Sequence, residues 1–196
     1  MERDNASAHG FARGRTVTDD RGAWRTPPDV LADARQIAGW GPWELDLAAE
    51  HHNRVADRWC GPGHPTRPDA LERGAPGVRD ALQDLPDPLS YRRVWCNPPY
   101  DKWDAFAEVL ADAARKFRIR SAVLVFARTD TAAWHRTIAH ATAIAFRCGR
   151  VRFLRPDGTP GGTAPAPSAL VLFGAPPAAR GPITAISGVR WHVVTP

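Results

Sequence analysis

Apolar residues recur along this chain with two different periods, which predicts a protein of mixed helices and strands. The first helical stripe consists of Val30, Leu31, Ala34, Ile37 and Ala38. Thr26 is placed to cap this helix, Pro27 to be its first residue, and Gly39 to end it. A second stripe predicts an amphipathic helix over 103–117, and a third helix is expected around 130–140.

Short apolar runs predict the strands. The run 43–47 contains an acid near its end, and the run 121–126 is continuously apolar, as in a buried parallel strand. The remaining strands are expected near 93–96, 143–147, 150–154, 168–173 and 189–194. Because strands alternate with helices before strands dominate, the pattern predicts an α/β fold. Its sheet should be mostly parallel and flanked by helices, with an antiparallel C-terminal edge.

The segments without periodicity outline the domain organisation. Residues 1–22 are polar and charged, which predicts a flexible N-terminal tail, and 23–196 fit a single domain. Proline and glycine are dense in 50–92, which predicts a loop-rich stretch with short elements inside it. The stretch 155–167 is expected to form an exposed loop.

Composition narrows the class of partner without fixing it. A hydrophobic content of 43% and eight tryptophans indicate a globular chain. The net charge of +5 permits a polyanionic partner, and all basic residues except Lys102 and Lys116 are arginines. The richness in Ala, Arg, Gly and Pro is equally consistent with a GC-rich genome.

The cysteines and the termini bear on compartment. Three cysteines, an odd number without metal-ligand spacing, favour a reducing cytoplasm. Cys60 follows His51 and His52 and precedes His64, but this spacing matches no common zinc finger, so no metal is expected. No apolar run approaches the roughly 18 residues of a membrane span, and the polar N-terminus does not resemble a signal peptide.

The most informative motif is Asn97-Pro98-Pro99-Tyr100, which follows the predicted strand 93–96. The amide oxygen of Asn97 and the carbonyl of Pro98 can accept two hydrogen bonds, and the Tyr100 ring can stack on a planar group. An exocyclic amine such as adenine N6 offers two donors, which suits two acceptors. The alternative is a plain Pro-Pro turn with an Asn cap and a surface tyrosine.

Two polar side chains are expected at one edge of the sheet. Asp46 and Asn97 both fall at the predicted carboxyl ends of strands, where ligands bind in open α/β sheets. They could therefore face one crevice although they are far apart in sequence.

In order along the chain, these motifs resemble those of the phage-type DNA N-6-adenine methyltransferases. The resemblance runs from about Trp24 to Phe173, and it rests on the segments 24–28, 45–49, 97–100, 127–131, 149–153 and 168–173. It implies a Rossmann-like class I methyltransferase fold with S-adenosylmethionine as the cofactor. It also implies methylation of adenine N6 in double-stranded DNA after the base is flipped out.

The resemblance implies a set of cofactor-binding residues. The segment with Trp24, Thr26 and Pro27 would lie near the methionine carboxylate, at a helix N-terminus suited to an anion. Asp46 would bind the ammonium group or the ribose hydroxyls, and Ala48 would allow close approach of the cofactor. The chain departs here from the broader class, which carries a glycine-rich loop at this point.

A further acid is expected to reach the adenine of the cofactor from an Asp-small-Leu segment. Asp69 and Asp80 both begin such a segment. The family keeps this segment close to the catalytic strand, which favours Asp80 over Asp69. Either acid could instead be a turn residue.

The resemblance makes Asn97, Pro98, Pro99 and Tyr100 the catalytic residues. Arg128, Arg150 and Arg152 are candidates for phosphate contacts, and either 155–167 or 50–92 could recognise the DNA sequence. The expected protein is a monomer or weak dimer in the bacterial cytoplasm, that of the host if a phage encodes it.

Two other functions remain open at this point. The amine could belong to RNA or to a protein glutamine, since the Asn-Pro-Pro-Tyr motif marks many amino-methyltransferases. The chain could also be a basic DNA-binding module without catalysis, which the missing glycine-rich loop would favour.

Overall fold

The computed structural model describes residues 24–83 and 92–196, and helices and strands alternate through most of this range. Its helices are α1 (Pro28–Ala38), α2 (Gly74–Asp80), α3 (Trp103–Lys116) and α4 (Ala132–Ile138). Its strands are β1 (Leu45–Asp46), β2 (Arg58–Trp59), β3 (Arg92–Cys96), β4 (Ile119–Phe126), β5 (Ala143–Arg147), β6 (Arg152–Leu154), β7 (Pro160–Thr163), β8 (Ser168–Phe173), β9 (Gly181–Thr184) and β10 (Arg190–Val194). The predicted tail 1–22 lies outside the described residues.

Eight strands form one mixed sheet in the order β2-β1-β3-β4-β8-β5-β10-β9. The pairs from β2 to β4 are parallel, and the pairs from β4 to β9 are antiparallel. Only β8 and β10 run against the other strands, which follows from those pairings. The predicted α/β class is confirmed, but the antiparallel pairing extends over half of the sheet. It does so because β8 inserts in the reverse direction between β4 and β5.

The start of α1 differs from the expectation. The helix begins at Pro28, and Pro27 is the N-cap with φ −60° and ψ 144°. A residue that precedes proline is disfavoured in the helical region, so Pro27 cannot join the helix. Thr26 therefore does not cap α1. The helix ends as predicted at Gly39, whose φ of 71° needs a glycine-like backbone.

The sequence indicated some of the short elements and not others. β2 and α2 are short elements of the kind expected inside the loop-rich stretch 50–92, of which 84–91 fall outside the described residues, whereas β9 was not predicted. The predicted loop 155–167 is in part a strand, because β7 pairs antiparallel with β6 and forms a separate two-stranded ribbon. Gly161 allows this pairing, since a Cβ at its position would lie 2.6 Å from the carbonyl oxygen of Phe153.

The core lies on both faces of the large sheet. One cluster contains Val94 and Cys96 of β3 together with residues of α2, α3 and α4. The other contains Trp95 with residues of α1 and β10. Successive residues of β3 thus point to opposite faces, as in any strand. Both faces bury apolar residues, so the strand ends are the places where polar side chains collect.

The order of strands creates a crevice between β1 and β3. The chain passes from β1 to β2 on one side and later returns to β3 on the other side. Asp46 at the end of β1 lies opposite Trp95 of β3, two residues before Asn97. Such a switch point is where open α/β sheets bind ligands.

Candidate active site

Asp46 forms the floor of this crevice. It is 3% exposed, and its carboxylate accepts backbone N–H groups of Ala48 at 3.3 Å and Val55 at 3.1 Å. Burial raises the pKa of the carboxyl to about 7, and these two hydrogen bonds counteract part of the rise. The loop after β1 is therefore folded around a carboxyl that gains from a cationic partner.

Asn97 presents an acceptor that the protein leaves unused. Its amide oxygen Oδ1 is buried and has no hydrogen-bond partner among the described residues. Buried acceptors are normally paired, so an unpaired one at a strand end points to a ligand donor. Pro98 is buried beside it, and the carbonyl of Pro99 accepts the N–H of Lys102 at 3.0 Å and so closes the turn into α3.

A first cavity brings the predicted motifs together. It is lined by Trp24, Arg25, Thr26, Asp46, Ala48, Asn53, Val55, Trp95, Asn97, Pro98, Pro99 and Tyr100. The prediction that Asp46 and Asn97 face one crevice is confirmed by this lining and by the register of β1 and β3. Thr26 is 9% exposed here. Pro27 is buried at the N-cap of α1 and is not among the lining residues.

A second cavity adjoins the first. Its lining comes from the end of β1, from 61–71 and from the start of α3: Leu47, Ala48, Ala49, Glu50, Asn53, Gly61, Pro62, Pro68, Asp69, Ala70, Leu71, Asn97, Pro99, Lys102 and Phe106. The two cavities share Ala48, Asn53, Asn97 and Pro99. Two ligands could therefore meet beside Asn97, one from each cavity.

The two candidate acids are in different surroundings. Asp69 lines the second cavity, and its carboxylate accepts the N–H of Leu71 at 2.8 Å. Asp80 lines neither cavity and pairs with Arg73 at 2.6 Å and Arg79 at 2.9 Å. The side-chain hydrogen bond from Arg79 is the main cause that lowers the pKa of Asp80. Geometry thus favours Asp69, although spacing along the chain favoured Asp80.

The wall of the second cavity depends on one glycine. Gly61 has φ 149°, and a Cβ at its position would collide with the carbonyl oxygen of Ala49. The N–H of Ala49 donates to the carbonyl of Cys60 at 3.0 Å, which holds the two segments together. This close approach brings the backbone at Ala48 and Ala49 into the wall of the second cavity. The chain has no glycine-rich loop at this point, directly after Asp46.

Two buried thiols lie near the site. Burial raises the pKa of Cys60 to about 11 and holds the pKa of Cys96, which precedes Asn97, well above its usual range. Both thiols therefore stay protonated near neutral pH, and a protonated thiol is a poor nucleophile. Across the described part of the chain, no group of three or more His, Cys, Asp and Glu residues could hold a metal ion.

The arginines predicted to contact DNA lie outside both cavities. Arg128 is exposed beyond the end of β4, and Arg152 is exposed on β6. The guanidinium of Arg150 donates to the carbonyls of Ala164 at 3.3 Å and Pro165 at 3.0 Å. Arg150 therefore holds the connection between β7 and β8 in place, in addition to any contact with DNA.

Sequence reasoning missed two polar residues of the first cavity. Arg25 lines it, and its buried Nε has no partner within the described ranges. Its position between Trp24 and Thr26, which were both predicted to bind the cofactor, could have indicated that Arg25 lines the same site. Asn53 borders both cavities, and its Oδ1 accepts the N–H of Glu50 at 2.7 Å. A Glu-x-x-Asn turn after a strand-end acid could have indicated it.

Fold and site together define an α/β protein in which two adjoining ligand cavities meet at the carboxyl ends of parallel strands. A family model described as DNA N-6-adenine-methyltransferase (Dam) matches residues 13–192. The chain therefore belongs to the Dam family and is an enzyme that methylates N6 of adenine in DNA. No curated protein matches the chain. None of the helices in the described ranges is long and apolar enough to cross a membrane.

Proposed function

We propose that this enzyme uses S-adenosylmethionine to methylate an adenine flipped out of double-stranded DNA. The carrying observation is the buried, unpartnered Oδ1 of Asn97 at the junction of two cavities. The methyl donor would span both cavities, with its adenine in the second and its methionine end beside Asp46 in the first, and the target adenine would enter the first cavity beside Asn97 and Tyr100. A Rossmann-like class I fold, as in related methyltransferases, is supported by the switch point between β1 and β3.

The polar side chains that line the two cavities match the polar groups of the cofactor. The carboxyl of Asp46 would bind its ammonium group or ribose hydroxyls, and Asp69 would accept a hydrogen bond from its adenine amine. Thr26 and Arg25 would face its carboxylate near the N-terminus of α1, beside Trp24 and Pro27. Asp80 is not used in this arrangement.

The chemistry needs little from the protein beyond acceptors and position. The bound sulfonium supplies an electrophilic methyl group that needs no metal or covalent intermediate. Asn97 Oδ1 and the Pro98 carbonyl would accept hydrogen bonds from the two N6 hydrogens and so stabilise the positive charge that grows on nitrogen. Pro99 fixes the turn, and Tyr100 stacks on the base. The C–S bond of the sulfonium would break as the C–N bond forms, the demethylated thioether would leave, and one of the two N6 protons would be lost to solvent.

The ribbon of β6 and β7 is the proposed DNA-contacting element. Arg25 and Leu154 exchange two backbone hydrogen bonds of 2.9 and 3.0 Å, which join the ribbon to the first cavity. Arg152 lies on the ribbon, Arg150 lies just before it and Arg128 is exposed two residues after the end of β4, so all three could contact phosphates. The stretch 61–71 is assigned instead to the cofactor cavity, which its lining residues support.

One experiment tests the function directly. The protein is proposed to be a monomer or weak dimer in the cytoplasm. The purified chain is incubated with methyl-labelled cofactor and with duplex DNA, RNA or a glutamine-containing protein. Label is expected in DNA as N6-methyladenine, and methylation-sensitive sequencing then gives the site. Label only in RNA or protein would support the other amino-methyltransferases. DNA binding without transfer would support the non-catalytic module.

A further inference from the structure

Four aromatic rings from four separate segments form a continuous row beside the first cavity. Trp24 packs on Phe153 with ring centroids 6.1 Å apart and an interplanar angle of 35°. Phe153 meets the edge of Tyr100 at 6.1 Å and 64°. Tyr100 stacks on Phe126 at 3.9 Å and 21°. The closest and most parallel contact of this aromatic row is thus the one between Tyr100 and Phe126.

Two rings of the row line the first cavity, and the other two are buried behind them. Trp24 and Tyr100 line the first cavity, whereas Phe126 and Phe153 do not. Phe126 is 8% exposed and Phe153 is 1% exposed. Tyr100 therefore stands between Phe126 and the space proposed for the base. Burial also raises the pKa of the Tyr100 phenol well above its usual range, so the ring stays neutral.

The backbone around Phe126 is fixed by the sheet. Phe126 is the last residue of β4 and lies opposite Ser168 of β8. The next N–H, of Ala127, donates to Pro167 at 2.8 Å, and the N–H of Arg128 donates to Phe126 at 2.8 Å. Tyr100, in contrast, belongs to a loop. Phe126, whose backbone is fixed by the sheet, thus packs against Tyr100, whose backbone belongs to a loop.

We propose that Phe126 is a positioning residue for capture of the target base, acting through Tyr100. This inference rests on the proposed stacking of the adenine on Tyr100. A loop tyrosine that must be immobilised when the base arrives loses side-chain freedom at that moment, which weakens binding. Phe126 removes that loss by holding the Tyr100 ring in its stacking orientation beforehand. The flipped adenine then becomes the third ring of an adenine–Tyr100–Phe126 stack.

The test compares Phe126→Leu, which removes the ring, with Phe126→Tyr, which keeps it. Phe146→Leu is the matched control, because Phe146 packs on Trp134 at 5.9 Å and lines neither cavity. We measure KM for duplex DNA, kcat, cofactor Kd and thermal stability. Base capture is followed by the fluorescence of 2-aminopurine placed at the target adenine.

Phe126→Leu is expected to raise KM for DNA by about three- to tenfold and to lower the 2-aminopurine signal, with cofactor Kd unchanged. Phe126→Tyr should restore both. The inference is overturned if Phe126→Leu matches Phe146→Leu in KM and fluorescence, or if a folded Phe126→Tyr fails to restore them. Should Phe126→Leu not fold, Phe126→Met keeps the volume without the ring and is read in the same way. Absence of DNA methylation by the unchanged enzyme would instead overturn the proposed function.

Discussion

The backbone N–H of Val55 donates to the carboxylate of Asp46 at 3.1 Å. Together with the N–H of Ala48, this contact folds the loop after β1 around the carboxyl group. The loop in turn supplies Ala48 and Asn53, which border both cavities. Asp46 therefore builds the wall of the site, in addition to its proposed role of offering a charge to the cofactor.

The buried position of Asp46 predicts that cofactor binding depends on pH. Burial raises the pKa of its carboxyl to about 7, so the free enzyme is protonated there below that pH. A cationic cofactor needs the ionised form, so the apparent Kd should rise by about tenfold per unit as pH falls below about 7. Calorimetric titration of S-adenosylmethionine between about pH 5.5 and 7.5 measures it.

Asp46→Asn serves as the control for this pH dependence. It should bind the cofactor weakly and without the pH slope, since no carboxyl remains to ionise. The same raised pKa determines how the free energy of unfolding of the free enzyme depends on pH. The contribution of Asp46 to that free energy is present at low pH and is lost as pH rises through about 7. An unchanged slope in Asp46→Asn would assign the dependence to another group.

Asn97→Ala should remove methyl transfer and leave cofactor binding nearly unchanged. The variant deletes the unpartnered Oδ1 that would accept an N6 hydrogen, and loss of one such transition-state contact costs at least about a hundredfold in rate. Single-turnover methylation and cofactor Kd are measured side by side. Turnover close to that of the unchanged enzyme would contradict the assigned role of Asn97.

Asp69 and Asp80 offer a paired test of the cofactor cavity. Asp69→Ala should weaken cofactor binding by about ten- to a hundredfold, as expected when a hydrogen bond to a charged group is lost. Asp80→Ala should leave the Kd unchanged, because Asp80 is engaged by Arg73 and Arg79 outside the cavity. Thermal shift with S-adenosylmethionine compares the two variants. A larger loss in Asp80→Ala would restore the assignment made from sequence spacing.

The long periodic segments were predictable because their local pattern of apolar residues agrees with the burial that the fold gives them. The stripe over 103–117 became α3, and the apolar run 168–173 became β8 at the same boundaries. Asp46 and Asn97, both predicted at the carboxyl ends of strands, line one crevice because β1 and β3 pair in parallel. Local chemistry and tertiary burial act together at these places.

Tertiary contacts decided what the sequence could not show. β2 is two residues long, too short for a periodic pattern, and β7 is rich in Pro and Gly. Pairing with neighbouring strands forms them in spite of their weak propensity. Asp69 reaches the cavity because the chain folds back through Gly61, whereas distance along the chain had favoured Asp80.

Gly61 supports the second cavity, where the cofactor is proposed to bind, and substituting it should impair that binding. Gly61→Ala places a Cβ against the carbonyl oxygen of Ala49 at φ 149°, so the wall must shift. Gly63→Ala is the matched control, since Gly63 has φ 81° but a Cβ at its position would meet no atom within 4 Å. Both variants place a side chain at positive φ and carry backbone strain of about 1–3 kcal/mol, but only Gly61→Ala should also raise the cofactor Kd. Circular dichroism melts and cofactor titrations separate the two effects, and equal Kd values for both would exclude the collision as a cause.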